Sequence, residues 1–279
     1  MHQQYYRQAI IEQMGCSVTQ TNVLAGSVST AYLSAGTGCP VICLHGGGAG
    51  AITWYPAIAS LAQHFRVIAP DIVGYGESDK PDASYDKTYF ANWLKQFLDA
   101  LGVAKAHIVG SSQGGAIALQ FTLDHPEMVD KLVLVDSGAL GAKPPLMSTI
   151  GLVWLNIFPS SLANRFYSRY ILFKPEQRDP NLGDYSLEVL KNAGGKKAFS
   201  QGRGAAVSVL PEAVLCGIKH KTLMIWGKND RLFPIEYATK AVSVMPDAEL
   251  LSIENAGHLP MIDQPAVFNR AVVDFLLKK

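Results

Sequence analysis

Five short runs of this chain are almost continuously apolar: "VICLH" (Val41 to His45), "FRVIAPD" (Phe65 to Asp71), "AHIVG" (Ala106 to Gly110), "KLVLVD" (Lys131 to Asp136) and "TLMIWG" (Thr222 to Gly227). A strand with one wet face alternates apolar and polar residues. A run that is apolar on both faces must be covered on both sides, as inner strands of a parallel sheet are. Most of the five are separated by helical patterns, which supply that cover and point to an α/β architecture. Ahead of them, "SVTQTNVLA" (Ser17 to Ala25) and "SVSTAYLSAG" (Ser27 to Gly36) alternate and are broken by Gly26, the pattern of an antiparallel hairpin at a sheet edge. Exposed edge hairpins of this kind often mediate dimers, so a homodimer is an expected assembly.

Between Gly138 and about Lys219 the alternation of strand and helix lapses into apolar, helix-like stretches interrupted by Pro and Gly. Residues 139–219 are therefore expected to form a helical cap, inserted into a core domain made of residues 1–138 and 220–279. The last segment, "EYATKAVSVMP", "AELLSIEN" and "PAVFNRAVVDFLLKK", restores helix, strand and helix.

Bulk properties exclude several classes of partner. The 279 residues carry a net charge of +1 and no Lys/Arg run that could neutralise a row of phosphates, so nucleic acid is not expected. No stretch approaches the roughly 18 apolar residues that span a bilayer, and the N-terminus lacks the apolar core of a secretory signal. A cytoplasmic protein without a membrane partner is expected. Cys16, Cys39, Cys43 and Cys216 show no C-x-x-C spacing, which argues against a metal or a disulfide; Cys43 and Cys216 read as small core residues.

The chemistry enters at "VGSSQGG". Gly110, Ser112 and Gly114 spell G-x-S-x-G, whereas Ser111 lies in no such frame. Glycines two positions either side of a serine allow a strand to reverse sharply into a helix with the hydroxyl exposed at the turn. "AHIVG" supplies the strand, and "GGAIALQFTLDH" (Gly114 to His125) the helix. A serine needs a base and the base needs a carboxylate, in the chain order serine, acid, histidine. His2, His45, His64 and His107 precede Ser112, and His125 sits in a helix-ending "DHPE", which leaves His220 and His258. His258 follows the strand "AELLSI" in "ENAGHLP", at the strand end where catalytic groups of parallel sheets gather, while His220 precedes its strand. Asp230 in "WGKNDRLFP" holds the corresponding place after "TLMIWG", with Asp136 the runner-up. An oxyanion would be held by the amide of Gln113 and by one from "HGGGAG", Gly47 first and Gly46 or Gly48 next. That glycine run lacks the G-x-G-x-x-G spacing of a dinucleotide site.

From about residue 25 onward the chain resembles the α/β-hydrolase fold family, through "HGGG", "PDIVGYGESDKP", "GSSQGG", "GKNDRLFP" and "AGHLPMIDQP" in family order. The resemblance implies an eight-stranded, mostly parallel sheet with helices on both faces and a cap after the sixth core strand. Within the family, "HGGGAGAITW", "DIVGYGESDKP" and "GKNDRLFP" most resemble the meta-cleavage product hydrolases, which split carbon-carbon bonds in dienoates from aromatic-ring opening. Gly47 falls on their oxyanion position. Leu259 replaces the tryptophan common after their histidine, Ser111 replaces a larger or more polar residue, and Lys191, Arg178 and Arg203 are the stand-ins for their cap arginine.

These readings imply a cofactor-free serine hydrolase with Ser112, His258 and Asp230 in the catalytic roles. It would cleave a carbon-carbon or ester bond beside a carbonyl in a small, largely hydrophobic substrate. Gly46, Gly48, Ser111, Trp154 and Leu259 are expected around that substrate. A carboxylesterase or lactonase, a non-hydrolytic enzyme of the same fold and a ligand-binding protein are the rival readings.

Overall fold

A computed structural model describes residues 2–48 and 50–278. Eight strands form one sheet: β1 (Thr19–Ala25), β2 (Val28–Ala35), β3 (Pro40–Leu44), β4 (Arg66–Pro70), β5 (Ala106–Ser111), β6 (Val129–Val135), β7 (Thr222–Gly227) and β8 (Ala248–Ile253). Their order across the sheet is β1-β2-β4-β3-β5-β6-β7-β8. β2 pairs antiparallel with both β1 and β4, and the remaining pairs are parallel. The expected edge hairpin and the buried inner strands are both present. β3, β5, β6 and β7 are buried along nearly their whole length, whereas β1 exposes every residue but Val23 and Ala25.

The helices are α1 (His2–Ile11), α2 (Tyr55–Ala62), α3 (Lys87–Ala100), α4 (Gln113–Asp124), α5 (Leu146–Ile157), α6 (Ser161–Ile171), α7 (Pro180–Lys191), α8 (Ala193–Val207), α9 (Glu212–Leu215), α10 (Glu236–Val244), α11 (Pro260–Asp263) and α12 (Pro265–Leu277). α3, α4 and α10 cover one face of the sheet and α1, α2 and α12 the other, each through its own buried apolar cluster. α5 to α9 lie between β6 and β7 in the chain, where the strand-helix alternation lapses. Cys43 is buried as expected, but Cys216 is exposed, because it caps the short α9 on a polar turn instead of continuing an apolar face.

α1 is held by a buried charge. The Arg7 guanidinium lies 2.9 Å from Asp71 and also donates to the Tyr185 hydroxyl of α7 and to Gln20 of β1. Asp71, just past β4, accepts in addition from the amides of Ala51 and Glu77. The Asp71–Arg7 pair thus ties together the N-terminal helix, the loop after β3 and, through Tyr185, the helical segment after β6. Both side chains are almost wholly excluded from water, so removing one leaves an uncompensated charge inside the protein. Arg7→Ala is expected to lower the unfolding free energy by about 3–5 kcal/mol in urea titrations. Adding Asp71→Asn to that variant should recover part of the loss.

Candidate active site

The site lies at the carboxyl ends of the parallel strands, where successive loops converge. β5 ends at Ser111, and α4 begins at Gln113. Between them Ser112 has φ 52° and ψ −115°, a region that costs a side-chain-bearing residue about 1–3 kcal/mol. The two flanking glycines make the turn sterically feasible. A Cβ on Gly110 would stand 2.4 Å from the Gly114 carbonyl oxygen, and one on Gly114 only 2.2 Å from that of Leu44.

His258 follows β8 and is buried. Its Nδ1 lies 2.7 Å from Asp230 Oδ2 in the turn after β7. Asp230 Oδ1 accepts from the amides of Leu232 and Phe233, which fixes the carboxylate plane. The Phe233 ring stands edge-on to the imidazole at 5.0 Å. His258 Nε2 is buried and has no hydrogen-bond partner, yet His258 and Ser112 line the same cavity. A carboxylate on Nδ1 favours the tautomer with its proton there, so that Nε2 is the ring nitrogen able to accept. His220 lies at the other end of β7, against the Pro126 carbonyl.

The loop after β3 lies against the elbow. His45 is buried; its Nε2 accepts from the Ile72 amide at 3.0 Å, which puts the ring proton on Nδ1, 2.6 Å from the Gly46 carbonyl oxygen. Burial lowers its pKa, so this imidazole stays neutral and works as a brace. A Cβ on Gly47 would meet Gln113 Oε1 at 2.9 Å, so the loop after β3 packs directly on the Gln113 side chain. The Gln113 side chain is itself held on both sides. It accepts from the Tyr75 hydroxyl at 2.9 Å and donates to the Gly202 carbonyl of α8 at 3.2 Å.

The cavity measures about 410 Å³ and is bounded by Gly46, Gly47, Ser112, Gln113, His258 and Leu259 below, and by Leu152, Tyr167, Phe199 and Val207 above. Two basic residues, Lys143 and Arg203, complete the wall. Of the other expected contacts, Trp154 does not reach it. α5 turns that ring toward α6, where it packs on Phe166 at 5.7 Å. Gly48 lies just behind Phe199, and Ser111 is fully buried with no partner for its hydroxyl, so both also stand outside the lining. Lys191 pairs with Glu188 and Arg178 with Asn164 and Ser168; of these two and Arg203, only Arg203 borders the cavity.

Asp136 is the residue whose role the sequence concealed. It follows β6 with φ 42°, is fully buried, and accepts from the Gly227 amide at 3.0 Å. Ligand atoms of Asp136, Asp230 and His258 all lie within 4.8 Å of one another, the one such group among the described residues. Asp230 spends its oxygens on His258 and two amides, so hydrogen bonding, not ion coordination, occupies it. Burial, and then the neighbouring Asp230 charge, hold the Asp136 carboxyl well above the usual carboxylate range. An acid raised in this way takes up a proton on folding, so stability falls as pH rises from about 4 toward the folded value. Asp136→Asn, neutral at every pH and still able to accept from Gly227, is expected to raise the urea midpoint at about pH 8 but not at about pH 4. An equal change at both values would contradict a buried neutral acid.

Known proteins match both the sequence and the fold. A family model described as the alpha/beta hydrolase fold matches residues 40–265. The 2-hydroxy-6-oxo-6-phenylhexa-2,4-dienoate hydrolase of Burkholderia cepacia is 36% identical over 256 residues, covering 87% of this chain and 89% of its own. The 2-hydroxy-6-oxo-6-(2'-aminophenyl)hexa-2,4-dienoic acid hydrolase of Metapseudomonas resinovorans is 31% identical, covering 97% and 95%. Among solved structures, a meta-cleavage product hydrolase from Pseudomonas fluorescens superposes with a TM-score of 0.83 at 28% identity, over 92% of this chain and 97% of that one. A Bacillus subtilis carboxylesterase shares the fold with a TM-score of 0.90 at 23% identity, over 99% and 98%. The chain belongs to the α/β-hydrolase fold family and is a hydrolase related to the meta-cleavage product hydrolases.

Proposed function

We propose that the chain hydrolyses the carbon-carbon bond beside the ketone of a small, apolar dienoate, with Ser112, His258 and Asp230 as the catalytic triad. The observation that carries this reading is the unpartnered His258 Nε2 on the cavity that Ser112 lines, with Nδ1 held by Asp230. In that reading His258 accepts the Ser112 proton or that of a water, the attacked carbonyl becomes an oxyanion, and the amides of Gly47 and Gln113 hold it. A dienol substrate must first be ketonised, because only the keto form lets the departing carbon leave with its electron pair in an enol. His258 is the group able to move that proton. Collapse of the tetrahedral intermediate breaks the bond, and water regenerates the enzyme where Ser112 has been acylated.

The substrate class is supported by the walls of the cavity. Leu152, Phe199, Val207 and Leu259 suit an apolar body, and Arg203 and Lys143 suit a terminal carboxylate. Residues 139–219 act in this proposal as a cap that keeps water from the substrate. An ester would use the same residues without the ketonisation step, and the family's esterase members keep that reading open to test.

A fluorophosphonate probe is expected to label the parent protein and not Ser112→Ala; labelling of the variant would exclude Ser112 as nucleophile. Asp230→Asn should lower kcat by about 10⁴-fold, the cost of losing the correct tautomer. On a panel of ring-cleavage dienoates and p-nitrophenyl esters, the dienoates should turn over faster. Arg203→Gln should raise KM for the dienoates by at least about tenfold, the loss of one charge-assisted contact, and leave that for neutral esters unchanged. Faster turnover of esters would move the assignment to a carboxylesterase.

A further inference from the structure

α5 presents its apolar side to water. Its buried positions are Ser148, Gly151 and Leu155, and every exposed position on the helix is apolar: Leu146, Met147, Ile150, Val153 and Ile157. Exposure along this stripe runs from 41% at Val153 to 74% at Leu146. A surface helix of a soluble domain has the reverse arrangement, and a contiguous apolar patch at this spacing marks a contact surface. The stripe continues into Phe158 and Leu162 at the start of α6, both exposed.

The charge around the patch identifies what covers it. From Ser137 to Pro175 the chain carries four charged residues, Lys143, Arg165, Arg169 and Lys174, and all are basic. Arg165 and Arg169 are exposed and recur on the face of α6 that Leu162 begins, Lys143 is exposed three residues before α5, and Lys196 reaches the Ile157 carbonyl at the other end. An uncharged apolar stripe framed by cations on both ends and one flank is the pattern of a helix lying in the plane of an anionic lipid surface. A second copy of the same face would set these cations against each other. α5 has 12 residues, and no helix among the described residues is long and apolar enough to cross a membrane. Surface contact with a membrane, as distinct from crossing it, is a partnership that the sequence reading does not expect.

We propose that α5 and the start of α6 dock on an anionic phospholipid surface. The same helix lines the cavity from its other side through Thr149 and Leu152. A lipid-dissolved apolar substrate then meets the cavity wall without first entering bulk water. The inference holds whichever bond the site cleaves.

Vesicle co-sedimentation tests it directly. The parent protein should pellet with phosphatidylglycerol/phosphatidylcholine vesicles, much less with phosphatidylcholine alone, and less again at about 0.5 M salt. Ile150→Glu/Val153→Glu should weaken binding to the anionic vesicles at least about tenfold while keeping turnover of a water-soluble ester, since neither residue borders the cavity. Arg165→Glu/Arg169→Glu, at positions already exposed, should abolish the preference for anionic lipid and guards against a folding failure of the first variant. Parent protein that stays in the supernatant with both vesicle types, or binding left intact in both variants, overturns the proposal. So does a lipid-free dimer in sedimentation velocity that Ile150→Glu/Val153→Glu converts to monomer, which would assign the face to a second copy.

Discussion

The site depends on a close approach of backbone to backbone. α4 can start directly against the end of β3 because Gly114 has no Cβ to strike the Leu44 carbonyl, and Gly110 can pass beneath it for the same reason. That contact bends the chain at Ser112 into a backbone conformation it would not adopt alone. The surrounding sheet, buried on both faces, supplies the rigidity that holds the strain. The loop after β3 is seated by the same contact, so Ser112 and the expected oxyanion donors are positioned by one piece of packing.

Much of this was legible in the sequence because it follows from local periodicity and steric need. Inner strands announce themselves by apolar runs, edges by alternation, and the elbow by glycines at fixed offsets. The proximity of Asp230 and His258 followed from a topological argument, since both residues come straight after parallel strands. What stayed hidden depends on where helices turn. Trp154 points to α6 because the packing of Gly151 against Phe166 sets the rotation of α5. Cys216 looked like a core residue from its apolar neighbours, yet it ends a single-turn helix. Arg7 gave no signal, since a lone arginine in a polar N-terminal stretch reads as solvated; its partner Asp71 is 64 positions away, and only the fold brings them together.

Beneath the cavity, acids outnumber bases. Asp136, Asp230 and His258 share a buried space in which one imidazole faces two carboxyl groups. Burial holds the Asp136 carboxyl toward its neutral form, while Asp230 is the carboxylate bonded directly to the imidazole. Sequence position made Asp136 a rival to Asp230. In the folded protein it is instead a neutral neighbour, hydrogen-bonded to the Gly227 backbone at the foot of the Asp230 turn.

Gln113 joins two parts of the molecule that could otherwise move independently. Its amide begins α4 beside Ser112, and its side chain is clasped between Tyr75 of the core and the Gly202 carbonyl of α8. Any displacement of α8 would therefore pull on the residue that follows Ser112, so a change in the helix above the cavity is felt at the elbow itself.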